Sequence, residues 1–151
     1  MKVRGVQVSE KTLTNLDLMQ YIQKLKIPYF RGVFMRDVLP KTVRKRECGI
    51  MNLNTSSQKG SHWVCWYKSH KKRIYFDSFG QHVPYELERY LKTPQEYKNK
   101  KLVLERNVQV VQHINTSECG ALCLFVLQGL WRQHMSYDQI LQKLHTRYLQ
   151  K

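Results

Sequence analysis

From Cys119 to Trp131 this chain is apolar on every side: Ala121, Leu122, Leu124, Phe125, Val126, Leu127 and Leu130 leave no polar stripe to face water. A helix of that kind cannot lie on a surface, so it must run through a core assembled from the rest of the chain. On folding, 151 residues bury roughly two thirds of their unfolded surface, enough to close one packed domain over 1–151. No linker, repeat or composition break divides them.

The remainder supplies elements to wrap that helix. Thr14-Asn15-Leu16-Asp17 reads as a helix start, its hydroxyl and carboxylate meeting free first-turn amides; Leu18, Ile22 and Leu25 share one face and Pro28 ends the helix. Ile50-Met51-Asn52-Leu53-Asn54, His62 to Tyr67 and Ile74 to Asp77 read as strands, the last two joined through a hairpin tip at Lys68 to Arg73. Pro84 opens a helix to Leu91, and Leu102 to Leu104 and Val108 to Gln112 read as extended. Ser136-Tyr137-Asp138-Gln139 caps a final helix with Ile140, Leu141 and Leu144 inward. The residues before Thr14 read as a frayed basic start, and Tyr29 to Pro40 as loop with a short extended piece. The pattern predicts an α+β fold: a small, mostly antiparallel sheet packed on the central buried helix.

The chemistry gathers at the start of that helix. Cys119 opens it, where the positive end of the helix dipole and free backbone amides favour thiolate over thiol. Gly120 leaves the entrance without a side chain, so another chain can approach closely. His62 begins one strand and Asp77 ends the next, which makes them neighbours in an antiparallel hairpin. Asp77 would then hold the imidazole in one tautomer, while His62 pairs with the thiolate and later protonates a leaving amine. Gln112, a short loop before Cys119, would bind an oxyanion together with the Cys119 amide. Singly these residues have ordinary readings, as a buried thiol, a turn cap and a strand end. Together they are the base, orienter, oxyanion donor and nucleophile of thiol-based acyl transfer. Cys123, one turn further in, reads as packing. No metal is expected, because His62 and Cys65 are an odd number of residues apart and face opposite sides of a strand. The four cysteines read as thiols, which fits a reducing, intracellular compartment.

Lys and Arg number 26 against 11 Asp and Glu, and a formal charge of +15 attracts polyanions. The expected partner is DNA, bound without sequence specificity by counterion release through Lys41, Arg44, Lys45, Arg46, Lys71, Lys72, Arg73, Lys100 and Lys101. No apolar run approaches the ~20 residues that span a bilayer, and the amino end shows no apolar signal segment, so no membrane partner is expected.

Taken jointly, Tyr29-Phe30-Arg31-Gly32, Gly60-Ser61-His62-Trp63, Phe76-Asp77-Ser78-Phe79-Gly80, Leu104-Glu105, Gln112 and Cys119-Gly120 with Cys123 following resemble a known family. They are similar to the adenovirus-type maturation proteases, adenain and its relatives in viruses and virus-like transposons, and more distantly to the SUMO-deconjugating proteases. The resemblance implies a permuted-papain-type fold, a triad of His62, Asp77 and Cys119, Gln112 at the oxyanion hole, and Trp63 narrowing a substrate channel beside Gly120. It implies a cysteine endopeptidase that cuts precursor proteins of a virus or virus-like element near glycine-containing sites, in the host nucleus and virion. No cofactor is expected for the chemistry itself; DNA is expected either to activate the enzyme or only to localise it, and the expected state is a monomer. Asp77 stands where adenain has Glu, as it does in the SUMO-directed relatives. Lys101 stands where adenain has a cysteine disulfide-linked to an activating peptide, so that mode of activation is not expected. Two other functions stay open: a protease that removes ubiquitin or SUMO modifiers, and a basic nucleic-acid-binding protein with an inactive protease fold.

Overall fold

A computed structural model describes residues 1–58, 62–92 and 103–151; Gly60, Ser61, Lys100, Lys101 and Leu102, named above, lie outside these. Among the described residues, the order is β1 (Lys2–Val3), β2 (Val6–Gln7), α1 (Asn15–Leu25), β3 (Phe30–Met35), β4 (Glu47–Asn52), β5 (Trp63–Lys68), β6 (Arg73–Phe76), α2 (Tyr85–Leu91), β7 (Leu104–Arg106), α3 (Cys119–Trp131) and α4 (Tyr137–Leu149). The apolar stretch is α3, and all of it but Phe125 and Trp131 is buried.

Strands β3-β4-β5-β6-β7 form one sheet in that order, with β4, β5 and β6 antiparallel in the middle and β3 and β7 added in parallel at the edges. Alternation along the strands divides the sheet's two faces. Cys48, Ile50, Trp63, Cys65, Ile74 and Phe76 face α3 and the helices beside it. Met51, Val64, Trp66 and Tyr75 pack under Leu87 and Leu91 of α2. Covered on both sides, β4 is buried at every residue. Gly49 makes room for Trp66: a Cβ there would lie 2.3 Å from the indole ring.

The caps form as read. Thr14 Oγ1 accepts from the Asp17 amide at 3.1 Å while Asp17 Oδ2 accepts from the Thr14 amide at 2.9 Å, and Ser136 and Gln139 repeat the exchange ahead of α4. Helix α1, however, leaves the helical path before Pro28, at Lys26, which takes the left-handed conformation with φ 52°.

Several expectations are corrected. The amino end is not frayed: β1 and β2 pair through a turn with positive φ at Arg4 and Gly5, and Val3 and Val8 are fully buried in the core. The segment from Tyr29 contains a six-residue strand, β3. Val108 to Gln112 is not a strand. The hairpin tip is shorter than read, because Lys68 and Arg73 are themselves paired strand residues. Arg73, assigned to the phosphate-binding surface, is only 4% exposed and donates to the Leu91 carbonyl at 3.4 Å beneath α2. It is therefore not available to a polyanion.

Candidate active site

The site forms where β5 begins, β6 ends and α3 starts. Cys65 pairs with Phe76 across the two strands, so the residues just beyond that register, His62 before β5 and Asp77 after β6, meet at the same end of the sheet. His62 Nε2 lies 2.7 Å from Asp77 Oδ1, and the imidazole stacks on the Phe79 ring with centroids 4.8 Å apart. The same ring lies close enough to Cys119 for the sulfur to favour its protonated form. With Nε2 engaged by the carboxylate, Nδ1 is the nitrogen left for the sulfur. Burial opposes the imidazolium, but the hydrogen bond to Asp77, the neighbouring Cys119 sulfur and the charges of both override it and raise the His62 pKa to about 9.

The carboxylate is held from three sides. Oδ1 also accepts the Phe79 amide at 2.9 Å and Oδ2 the Gln81 amide at 3.3 Å. Behind it, Asn107 brackets the Asp77 backbone, accepting its N–H at 3.1 Å and donating to its carbonyl at 2.6 Å. Tyr137 of α4 ties this bracket to the core, its hydroxyl lying 2.7 Å from the Tyr75 carbonyl and 3.2 Å from Asn107 Oδ1. Nothing local in the sequence marks Asn107 for this role: its Nδ2 also donates to the nearby Gln109 carbonyl at 3.0 Å, but Asp77 and Tyr137 come from distant segments.

Gln112 is 2% exposed and oriented at both ends of its amide. Oε1 accepts the Ser78 hydroxyl at 2.5 Å and Nε2 donates to the Thr116 carbonyl at 3.0 Å, which leaves one of its two N–H bonds uncommitted in this set. The Val111 amide bonds the Ser78 carbonyl at 2.8 Å, so the segment bearing Gln112 is stapled directly to the segment bearing Asp77.

Cys119 is 7% exposed, and its sulfur receives the Trp63 backbone N–H at 3.5 Å. It opens onto a cavity of about 800 Å3 lined by His62, Trp63, Gln112, Leu13 and Ile114 among others. Trp63 is held in the wall by its indole N–H, which donates to the Leu13 carbonyl at 2.8 Å. Gly120 is not among the cavity-lining residues, contrary to the channel role read for it: a Cβ there would meet Leu13 at 3.1 Å and Leu18 at 3.4 Å, so it serves the close packing of α3 on α1. Ile114, 92% exposed on the cavity rim, was not singled out from the sequence.

All four cysteines are free thiols. Burial holds the Cys123 thiol well above the usual range, and its sulfur lies 3.6 Å from the Trp63 carbonyl, which suits a packing residue. Among the described residues no group of three or more His, Cys, Asp or Glu could hold a metal ion, and no helix is long and apolar enough to cross a membrane. Of the basic residues named for DNA, Lys41, Arg44, Lys45, Arg46, Lys71 and Lys72 are exposed.

The overall fold is shared with solved proteases. Two crystal structures of the ASFV pS273R protease, one of them with selenomethionine, share the fold at 16% identity, with TM-scores of 0.60 and 0.58, covering 97% of this chain and 69% and 70% of theirs. The SUMO protease Ulp1 aligns at 14% identity and a TM-score of 0.39, covering 97% of this chain and 64% of that one. No curated protein matches the sequence. The adenovirus endoprotease family model matches residues 30–148, a span that includes His62, Asp77, Gln112 and Cys119. This chain therefore belongs to the adenovirus endoprotease family and is a cysteine-type peptidase.

Proposed function

We propose that the protein is an endopeptidase that cleaves precursor proteins of a virus or virus-like element beside glycine-containing sites, with Cys119 as nucleophile. The observation that carries this reading is a single imidazole that bonds a buried carboxylate and shares one cavity with a cysteine at a helix start: His62 Nε2 sits 2.7 Å from Asp77, and His62 and Cys119 both line the cavity and interact closely enough for the sulfur to favour the imidazolium. The Cys119 sulfur attacks the scissile carbonyl, and the Gln112 side-chain amide with the Cys119 backbone amide receives the oxyanion. His62, held by Asp77, gives its proton to the leaving amine and then activates the water that releases the thioester. The protein acts as a single-domain monomer, in the host nucleus and the virion.

DNA is proposed as the activator. Lys71 and Lys72 at the β5–β6 hairpin and the run Lys41 to Arg46 supply exposed cations near one another, since Lys68 beside the hairpin donates to the Lys45 carbonyl at 3.3 Å. Tyr29, Trp131 and Tyr67 pack beside them as tilted rings, with centroids 4.9 and 4.5 Å apart and Arg46 over Tyr29, an aromatic surface that can also meet bases.

The test is incubation with a peptide library, with and without DNA, reading the cuts by mass spectrometry. Cuts beside glycine that vanish in Cys119→Ala support the reading; equal hydrolysis by wild type and Cys119→Ala refutes it. A probe carrying a ubiquitin-like tail, labelled faster than short peptides are cut, would replace endopeptidase with modifier removal. DNA affinity that falls steeply with added salt supports the activator surface, and affinity indifferent to salt removes it.

A further inference from the structure

The last turn of α4 carries charges that have no part in the steps above. Glu118 immediately precedes Cys119, is 2% exposed, and makes no side-chain cap to its own helix. It turns instead to α4: Arg147 Nη1 donates to Oε1 at 3.1 Å and Nη2 to Oε2 at 2.7 Å, and Lys151 Nζ reaches Oε2 at 3.1 Å. Arg147 and Lys151 also bind Glu10. Next to Arg147, the Tyr148 carbonyl lies 3.0 Å from His113 Nε2, and the two rings stack with centroids 4.2 Å apart. One helical turn thus grips both ends of the connection from Gln112 to Cys119.

A carboxylate one peptide unit from an anionic sulfur repels it and offsets the positive end of the helix dipole. The elements packed on α3 are β5, α1, α4 and β1. Their titratable and charged groups are His62 just before β5, with Asp77 behind it, and Cys65, Tyr67 and Lys68 of β5; Asp17, Tyr21 and Lys24 of α1; Lys2 of β1; and Tyr137, Asp138, Lys143, His145, Arg147 and Tyr148 of α4; α3 adds Cys123. Asp17 is committed to the Thr14 amide at 2.9 Å, and Lys24 and Lys68 stand at the ends of their elements away from Cys119. Glu118 alone is joined directly to Cys119.

We propose that Arg147, assisted by Lys151, is a positioning residue for the nucleophile: it draws the Glu118 carboxylate onto α4 and cancels its charge, so that the start of α3 faces the sulfur as an uncontested positive end. This rests on the reading of Cys119 as nucleophile. A device of this kind acts through charge, and charge can be reversed in sign by choosing which partner to remove.

The experiment measures the rate of Cys119 alkylation by iodoacetamide against pH in the full chain, read by mass spectrometry of the Cys119 peptide. Arg147→Gln should move the half-maximal pH up by about one unit, a roughly tenfold slower reaction below the midpoint. Glu118→Gln should leave the midpoint at or below that of wild type, the double variant should follow Glu118→Gln, and Arg147→Lys should restore most of the loss. A midpoint unchanged in folded Arg147→Gln, or raised equally by both single variants as loosened packing would do, overturns the proposal. If Arg147→Gln does not fold, Glu118→Gln decides, a raised midpoint overturning it. Wild-type hydrolysis by Cys119→Ala would sink the nucleophile assignment as well; an unshifted midpoint beside an inactive Cys119→Ala sinks this inference alone.

Discussion

Replacing Asp77 with Asn removes one charge from the site and almost no volume. Asn can keep its oxygen toward His62 Nε2 and the Phe79 amide, now at 2.7 and 2.9 Å, by turning its NH2 toward the Gln81 amide, the longest contact at 3.3 Å. The ring stays in place while its counter-charge goes. Burial then acts on the imidazolium opposed by the sulfur alone, and the His62 pKa falls from about 9 back toward the usual 6.5. A fall of about two units is worth about 3 kcal/mol and a hundredfold in the protonated fraction. In the proposed mechanism the reactive pair needs the imidazolium, so wild-type kcat/KM should hold until pH rises through about 9, while the variant declines from about pH 7. The assay is kcat/KM against pH on a cleaved peptide, with the His62 titration followed by NMR. Stability carries the same sign: a histidine raised on folding stabilises fully below its unfolded value of about 6.5, and that support is lost as pH rises through about 9. Wild type should lose on the order of 3 kcal/mol across that window and Asp77→Asn little. An alkaline limb that stays put in a folded Asp77→Asn protein would refute the reasoning.

Asn107→Ala strands the Asp77 N–H and carbonyl in a buried setting; denaturant unfolding should show a loss of about 2–4 kcal/mol, with kcat falling more than KM rises. Gly49→Ala drives a methyl group into Trp66 and should cost about 3 kcal/mol in the same measurement, with activity per folded molecule retained. Ile114→Ser, on an exposed rim, should leave the melting temperature unchanged and raise KM up to about tenfold at constant kcat, if substrate lies against it.

What was legible in the sequence was local. Helix α3 follows from thirteen residues without a polar face, and the starts of α1 and α4 follow from capping boxes closed within four residues. Strand β3 was not legible as a strand: it is a parallel edge paired with β4, and its half-buried side chains do not alternate. The amino-terminal hairpin escaped because strands of two residues carry no period, and only the core reveals that Val3 and Val8 are buried.

The candidate site divides in the same way. The residue types, their order, and the adjacency of His62 and Asp77 follow from chain chemistry and hairpin topology alone. Strict alternation would nevertheless turn His62 to the α2 side with Val64 and Trp66, away from α3. It reaches Cys119 because it lies one residue outside β5, where the pleat no longer dictates direction, and because Asp77 and Phe79 hold its ring there. Burial of Arg73, packing of Gly120 on α1, the Asn107 bracket and the Glu118 clamp likewise join segments far apart in the chain. The sequence by itself determined which groups the protein owns and which helices must be buried or capped, because those depend on neighbours within a turn or two. Only the tertiary structure decided which of those groups touch, since contacts between distant segments are set by packing the whole core at once.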